Sequence, residues 1–569
     1  MQLLKPILLG FAICLAGAGV AFSQNIQARP AAAPIPPRTL PPSLVAAAMP
    51  PNPGFLVNRR QADLRDHHLI RAPIAVAPRA PFAVLPAVPK GMPTRVAAID
   101  AGADSPIVIT YSAPLRDAVT GGLTSTVTEP SVADTKDGIV LAAGNWFASI
   151  SKDDGQNYSF RNPSTAFPSD DFEWCCDQVV IYDPTRDLLI WYLQYVQNGH
   201  QNIGRVAVAS GDAIAAEKWV FYDLSPLNVG GWDDEWFDYA DLAITGKHLY
   251  VSTNSFATHG TAFSEDDSFA RAAVVRIELD DLAQGRPISP MIFDAEDGFS
   301  LKPTHGANSG MYFGSHDFAA FEKGIVVFEW AENSDTIVRH KFAVHEWSNA
   351  ARESIALDGT EWLRRTDFRM TAGWAKGRSL GFGWTAAQDS NFRHPHVRIA
   401  IIDLDAADPD DRLRQAHIWS DEYAFAYPYT AVSANGSVGV SLHYGGGGIE
   451  GINPSHAVGV LKEAHDGSYT WMLQQSAGGT NGPIDGRWGD YLAVRPSAAN
   501  AGGWIATGYT LVGGGSPEDI IPRVIRFEEA EIAPTAVAAP PAGHKLREKV
   551  RQLQTDIDDM AKILDMERK

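Results

Sequence analysis

The stretch SKDDGQNY, residues Ser151–Tyr158, carries the most specific local signal in the chain. It has the pattern Ser-x-Asp-x-Gly-x-x-aromatic and lies between two short runs of β type. In such a turn the Ser151 and Asp153 side chains bond to turn amides, Gly155 takes a positive φ, and the Tyr158 ring packs beneath the hairpin. The stretch therefore predicts a rigid β-hairpin turn with a structural role.

This hairpin belongs to a long region of short β-type runs, from about Ile107 to Phe527, separated by Gly, Asn, Asp and Pro clusters. Roughly 420 residues of this pattern exceed a single sandwich or small barrel, so they favour a radial repeat. We trace seven units, or six if two of them merge: Ser131–Arg161, Val179–Tyr222, Leu242–Phe293, Ile325–Trp347, Met370–Ile402, Thr430–Leu473 and Tyr491–Phe527. The strand Ile107–Tyr111 is expected to complete the last unit and close the ring. The sequence thus predicts an all-β protein, a β-propeller.

A second specific stretch, RWGDY at Arg487–Tyr491, starts the last unit. Together with the Ser151–Tyr158 turn it resembles secreted bacterial propellers of the sialidase-like superfamily, which carry Asp-box or BNR repeats. The resemblance covers small parts of the chain and implies a propeller that is active on carbohydrate. Sialidases have an early F/Y-R-I-P motif, whereas the nearest string here, Phe160-Arg161-Asn162-Pro163, follows the turn. The resemblance therefore implies the superfamily and not sialic acid as the substrate.

Both ends of the chain differ in composition from the propeller region, which we place at residues 96–533. Residues 1–23 join a short basic start to the apolar run Ile7–Phe22, which is typical of a secretory signal peptide cleaved near Ser23. We therefore expect an extracytoplasmic protein, periplasmic or secreted. Residues 24–95 are rich in Ala and Pro and predict a disordered tether.

After a second Ala/Pro linker at residues 534–541, residues 542–569 predict an amphipathic, coiled-coil helix. Its apolar residues follow heptad spacing: Leu546, Val550, Leu553, Ile557, Met560 and Leu564. Such a seam predicts a homo-oligomer joined through residues 546–564. One helix docked on its own propeller is the alternative, because isolated helices of this length are only marginally stable.

Composition excludes some classes of partner. The net charge of -20 argues against nucleic acid, whose phosphates select Lys and Arg. No segment after the leader has about 18 consecutive apolar residues, so no membrane span is expected. Cys175 and Cys176 are the cysteines that remain after cleavage, and they form either a vicinal disulfide or two buried thiols. A redox protein built on this pair is a further, less favoured alternative.

The loops that start the inner strands of a propeller meet at one end of its channel, where a ligand site is expected. The carboxylates at such positions, Asp177, Asp238 and Asp490, are the candidate catalytic residues. The candidates for substrate binding are Tyr239, Asp241, His316, Arg393, His396, Tyr429, Arg487 and Tyr491. Paired carboxylates perform glycoside hydrolysis, so a glycoside hydrolase acting on a glycan or another small polar ligand is the leading prediction. The alternative is a non-enzymatic propeller scaffold that binds glycan or protein and is oligomerised by its C-terminal helix.

No metal or cofactor is predicted. The string Arg393-His394-Pro395-His396 has two imidazoles but lacks a recognised ligand spacing. Calcium is the alternative, offered by an acidic loop that lacks the Gly and terminal Glu of an EF-hand: Asp403, Asp405, Asp408, Asp410 and Asp411. A solvated acidic turn is the favoured interpretation of that loop.

Overall fold

The computed structural model describes residues 24–39, 106–115, 124–259, 267–408, 412–463 and 467–530. These residues form seven antiparallel sheets. The innermost strand of each sheet contacts the innermost strand of the next, and the last contacts the first, so the sheets are blades around a central channel. The seven-bladed β-propeller is confirmed, and the six-bladed alternative is wrong.

Each blade has four strands, which follow in order from the innermost outward. Blade 1 has Ser131–Asp134, Val140–Gly144, Phe147–Ser151 and Ser159–Arg161; blade 2 has Trp174–Asp183, Leu188–Tyr195, Gly204–Ser210 and Val220–Leu224; blade 3 has Glu235–Ile244, His248–Ala257, Ser268–Glu278 and Met291–Ala295; blade 4 has Lys302–Pro303, Gly310–His316, Gly324–Ala331 and Thr336–Ala343. Blade 5 has Met370–Lys376, Ser379–Ala386, His396–Asp403 and Leu413–Gln415; blade 6 has Ala424–Val432, Val438–Gly446, Ile452–Glu463 and Tyr469–Ala477; blade 7 has Val494–Pro496, Trp504–Leu511, Ile520–Glu529 and Ile107–Pro114. Short α-helices lie between strands at Pro163–Ala166, Asp212–Ala215, Pro226–Gly230 and Leu279–Ala283, and 3-10 turns at Phe318–Ala320, Gly448–Glu450 and Pro517–Asp519.

The core lies between neighbouring blades. The second strand of blade 2, LLIWYLQY at Leu188–Tyr195, is buried at every position because both of its faces pack against other blades. Tryptophans also bond across these interfaces: Trp504 Nε1 donates to the Ala431 carbonyl (3.1 Å), and Trp471 Nε1 to the Ala416 carbonyl (3.0 Å). Aromatic rings with one polar atom thus join blades 7 and 6 and blades 6 and 5.

Ring closure follows the prediction for the strand near Ile107. Ile107–Pro114 is the outermost strand of blade 7, next to Ile520–Glu529. The Leu115 amide donates to the Pro522 carbonyl (2.8 Å), which continues this pairing by one residue. The predicted closure is confirmed, and it places residues from both ends of the ring sequence in one sheet.

The N-terminal described residues form a strap along the outer edges of three blades. Gln24–Gln27 pairs with the outermost strand of blade 4, Arg29–Pro30 with that of blade 3, and Arg38–Thr39 with that of blade 2. The prediction of a disordered tether is therefore wrong for residues 24–39. This segment has too few apolar residues for a core of its own, but an edge strand needs only backbone pairing, tolerates Pro, and here inserts the buried Ala28 and Ile35.

Blade 4 also differs from its prediction. Its inner and second strands, Lys302–Pro303 and Gly310–His316, were not expected, because the first has two residues and the second contains glycines. One of these, Gly314, packs against the Phe382 ring where any side chain would collide.

Several predicted segments lie outside the described residues: the signal peptide 1–23, the tether residues 40–95, the linker 534–541 and the helix 542–569. Their assignments stay predictions. Within the described ranges, no helix is long and apolar enough to cross a membrane.

Candidate functional site

The inner strands of the seven blades begin at one end of the channel, here called the mouth. Ionisable side chains from blades 1, 2, 3, 5 and 7 interact with one another there and are here called the mouth cluster: Glu129, Asp177, Asp238, Arg365, Arg369 and Asp490. The inner strands of blades 3 and 6 each contain a β-bulge, where the strand register shifts beside Tyr239 and Tyr427. Both tyrosines have a positive φ, and the bulges help to direct the neighbouring side chains.

Glu129 and Asp177 form a carboxyl pair at the mouth. Both are buried, and a hydrogen bond joins the two side chains. Asn145 Nδ2 also donates to Glu129 Oε2 (2.9 Å). Burial and the negative charge of Asp177 raise the pKa of Glu129 well above its usual range, which favours its protonated form. Burial, together with the charge of Asp238, raises the pKa of Asp177 to about 7.

Asp490 is held in the opposite state. Arg365 Nη2 and Nε donate to its two carboxylate oxygens (2.8 and 3.1 Å), and Arg369 Nη2 lies 2.9 Å from Oδ2. Despite complete burial, these two guanidinium groups hold the pKa of Asp490 well below its usual range. The mouth therefore contains one carboxyl group that titrates near neutrality and one that stays ionised.

Asp238 is near enough to Asp177 for its charge to raise that group's pKa, and it is half-buried. Gln194 Nε2 donates to its Oδ1 (2.7 Å), which fixes the carboxylate from the neighbouring blade 2. The bulge between Asp238 and Asp241 lets two carboxylates of one strand reach the channel at different depths.

Aromatic rings form one wall of the mouth. The Tyr239 and Tyr491 rings meet edge to face at 5.7 Å, and the Arg369 guanidinium lies 4.0 Å over the Tyr239 ring. Burial, then the charges of Asp177 and Glu129, raise the pKa of Tyr491 well above its usual range, so its hydroxyl stays neutral. A neutral phenol beside a protonated carboxyl can orient a polar ligand by hydrogen bonding.

Cys175 and Cys176 form a vicinal disulfide in this structure, with an S–S distance of 2.11 Å. Cys175 is buried, whereas Cys176 is half-buried and directly precedes Asp177. The disulfide therefore presents an apolar surface at the mouth beside the carboxyl pair.

Deeper in the channel lies a small cavity lined by residues from all seven blades. Lys302 forms an ion pair with Asp241 and lies 3.6 Å over the Tyr429 ring. The Tyr429 hydroxyl donates to Asp241 Oδ1 (2.8 Å), accepts from Arg495 Nη1 (2.8 Å), and lies 2.9 Å from His305 Nε2. Burial lowers the pKa of Lys302 to about 8, although Asp241 opposes this shift.

Most of the predicted site residues lie at the mouth or in the channel: Asp177, Asp238, Asp490, Tyr239, Asp241, Tyr429 and Tyr491. Arg487 is buried just before blade 7, and its backbone amide donates to Asp485 Oδ1 (3.0 Å).

Three predicted residues lie elsewhere. His316 ends the second strand of blade 4, packs among aromatic rings, and has its Nε2 at 2.8 Å from the Phe368 carbonyl. His396 stacks on Phe392 at 3.9 Å on the third strand of blade 5, and the nearby Arg393 is exposed. They are not brought to the mouth cluster.

Several functional residues were not predicted: Glu129, Arg365, Arg369, Lys302 and Arg495. Glu129 stands two residues before the inner strand of blade 1, and Arg369 directly precedes that of blade 5. Both therefore lie where an inner strand begins, which is the position that made Asp177 a candidate. Lys302 and Arg495 lie within inner strands, where charged residues are rare. A charged residue at such a position is the sequence signal that could have identified both.

The predicted turn at Ser151–Tyr158 makes its expected bonds. The Gly155 amide donates to Ser151 Oγ (2.9 Å), the Asn157 amide donates to Asp153 Oδ1 (2.9 Å), and Gly155 has a φ of 87°. In the described part of the chain, no group of three or more His, Cys, Asp or Glu side chains is arranged to hold a metal ion. Asp405 pairs with Arg378 (2.9 Å), and Asp410 and Asp411 lie outside the described residues.

No protein-family model and no curated protein matches this chain. Similar solved structures include an α-L-arabinanase from Penicillium chrysogenum complexed with arabinobiose (11% identity, TM-score 0.36, covering 74% of this chain and 98% of that one). An α-L-arabinofuranosidase from Fusarium graminearum is similar at 8% identity and a TM-score of 0.35, over 70% and 92% of the two chains. Trypanosoma rangeli sialidase is similar at 11% identity and a TM-score of 0.32, over 62% and 55%. A function must therefore be assigned from this chain's own residues.

Proposed function

We propose that this protein is a glycoside hydrolase whose active site is the mouth cluster. The observation that carries this proposal is a pair of neighbouring carboxyl groups at the mouth: Asp177, whose pKa is raised to about 7, and Asp238, whose negative charge contributes to that shift. A carboxyl group that is protonated near neutrality and a neighbouring carboxylate provide the acid and the base or nucleophile that glycosidic cleavage needs.

In this proposal Asp177 is the general acid, and Glu129 donates a hydrogen bond to it. The Asp238 carboxylate is the base or nucleophile, and Gln194 fixes its orientation. The Tyr239 and Tyr491 rings supply an apolar surface with polar edges for a sugar ring.

We propose for Asp490 a role other than the catalytic one expected from the sequence. Both of its oxygens are engaged by Arg365 and Arg369, which leaves them poorly available to attack a substrate. We assign it a positioning role, in which it holds the two guanidinium groups at the mouth.

The test is turnover of a broad glycan panel by the mature protein, with new reducing ends measured beside melting temperature. We expect release from at least one glycan, and we expect Asp177→Asn and Asp238→Asn each to reduce it by about a hundredfold or more. Asp405→Asn is the matched control, because that exposed carboxylate belongs to an outer loop of blade 5 and should leave turnover unchanged.

Full activity in either mouth variant would refute the catalytic roles. Thermal stabilisation by a glycan without release would refute hydrolysis and favour the non-enzymatic, ligand-binding propeller.

We also propose that the protein acts outside the cytoplasm. Support comes from the leader-like residues 1–23 and from the Cys175–Cys176 disulfide, since disulfides persist in oxidising compartments. Fractionation of expressing cells, with sequencing of the mature N-terminus, should find an extracytoplasmic protein that begins near Gln24. An intact leader on a cytoplasmic protein would refute export.

A further inference from the structure

Two buried hydroxyl groups line the channel cavity and lack a hydrogen-bond partner among the described residues: Thr371 Oγ1 and Tyr491 OH. Each residue is only 7% exposed. A buried hydroxyl without a partner lowers stability, so such groups are rare and indicate either strain or a ligand's contribution. Here both belong to the same cavity.

The other polar groups deeper in this cavity already satisfy one another. Lys302 is paired with Asp241, and the Tyr429 hydroxyl bonds to three neighbours. A ligand entering from the mouth therefore finds buried hydroxyls without a described partner at Thr371 and Tyr491.

Apolar side chains also line this cavity. Met370, Leu492 and Leu301 line the same cavity. Thr371 stands two residues after Arg369, and Tyr491 directly follows Asp490, so the cavity opens next to the mouth cluster. The site suits a small group that combines one hydroxyl with a methylene.

We infer that the channel cavity binds the exocyclic hydroxymethyl group of a hexopyranose whose ring lies at the mouth, with Thr371 and Tyr491 as hydrogen-bond partners. The inference rests on the proposed function in so far as the ligand is a sugar. The methylene packs against Met370 and Leu492, and the hydroxyl can donate to one partner and accept from the other. The substrate class is thus hexopyranosides, in preference to the pentopyranosides that lack this group.

Isothermal titration of the mature protein with two sugar pairs tests this inference without requiring turnover. D-Galactose and L-arabinose form one pair, and D-glucose and D-xylose the other, because the pyranose rings within each pair differ only in the hydroxymethyl group. We expect the hexose of at least one pair to bind about tenfold more tightly or better. Thr371→Val, which replaces the hydroxyl by a methyl of similar size, should reduce that preference to about threefold or less.

Thr430→Val is the matched control. The Thr430 hydroxyl is also buried and without a partner among the described residues, but it does not line the cavity, so the hexose preference should persist. Equal binding within both pairs, tighter binding of the pentoses, no binding of any of the four sugars, or an unchanged preference in Thr371→Val would each overturn the inference.

The inference and the proposed function fail in different ways. A hexose preference that depends on Thr371, in a protein that releases no reducing ends from any glycan, refutes hydrolysis and supports the cavity assignment. Turnover of hexosides and matched pentosides at equal kcat/KM refutes the cavity assignment alone.

Discussion

At the scale of single residues, the pKa of Asp177, which burial and the charge of Asp238 raise, sets the pH range in which the mouth can donate a proton. Asp177 must be protonated to act as an acid, and its pKa is about 7. We therefore expect kcat/KM to fall as pH rises through about 7, as measured by a pH–rate profile on the best substrate of the panel. A profile that stays flat between about pH 5 and 9 would contradict the assignment.

Glu129 provides a second prediction with a defined sign. Its hydrogen bond to Asp177 stabilises the charged form of Asp177 and so lowers that group's pKa. In Glu129→Ala this donor is lost, the pKa of Asp177 rises, and the alkaline limb of the pH–rate profile should move to higher pH. Glu129→Gln keeps a neutral donor and should leave the limb in place. A downward movement in Glu129→Ala would show that the bond has the opposite effect.

Gly489 shows why the RWGDY stretch needs a glycine between its aromatic and acidic residues. Its φ is +102°, and a Cβ there would overlap the Tyr427 ring. We expect Gly489→Ala to lower the free energy of unfolding by more than about 2 kcal/mol. Gly513→Ala is the control, because Gly513 has a φ of +86° with nothing near its Cβ position, so its cost should be about 1 kcal/mol. Chemical denaturation measures both, and equal costs would contradict the steric argument.

The sequence could identify some of these residues and not others. Asp177, Asp238 and Asp490 were recognisable because each stands where an inner strand begins. The proton shared with Glu129 and the pairing of Asp490 with Arg365 were not, because they join residues that are far apart in the chain and meet only when blades 1, 2, 5 and 7 assemble. Carboxylates with opposite roles look alike in a sequence, since their pKa values depend on neighbours from other blades.

At the scale of elements, the Ser151–Tyr158 turn connects two blades. The Tyr111 hydroxyl, on the closing strand of blade 7, donates to the Gly155 carbonyl, and Arg526 Nη1 lies 2.7 Å from Asp154 Oδ1. The turn that is most specific in sequence therefore lies at the junction of the first and last blades. Its rigidity stabilises the closure as well as its own hairpin.

The strap offers a test of its own. Ile35 is its buried anchor, and Ile35→Asp would place a charge there without a partner, which is strongly unfavourable. We expect faster hydrogen exchange in Gln24–Thr39 and in the outermost strands of blades 2, 3 and 4, with the inner strands unchanged. Ile449→Asp, at an isoleucine that is 89% exposed, is the control and should change neither. Faster exchange of the inner strands, or an unchanged strap, would contradict its description as a separable edge element.

Strands were predictable where apolar residues form clear runs, which covers most of six blades. The strap and the two inner strands of blade 4 were missed for one physical reason. Both are stabilised by pairing with strands that are distant in sequence, and neither has the apolar pattern that identifies a strand locally.

At the scale of the whole molecule, the closing strand makes the ring a single unit. A destabilising substitution in that strand should therefore lower the stability of the whole propeller. Ile107 is buried in blade 7, whereas the adjacent Val108 is 42% exposed. We expect Ile107→Ala to lower the free energy of unfolding by about 3 kcal/mol in one cooperative transition, and Val108→Ala to cost well under 1 kcal/mol. Calorimetry and circular dichroism should agree on the midpoint. Separate melting of blade 7 would contradict a cooperative ring.

The position of the closing strand also affects the order in which the strands of the propeller can pair during synthesis. Translation produces Ile107–Pro114 early, yet its partner Ile520–Glu529 emerges only after the other blades have been made. The strap, made earlier still, waits for blades 2, 3 and 4. These early strands are thus among the last to find their partners, and a nascent chain of this protein remains an open ring until Ile520–Glu529 has been made.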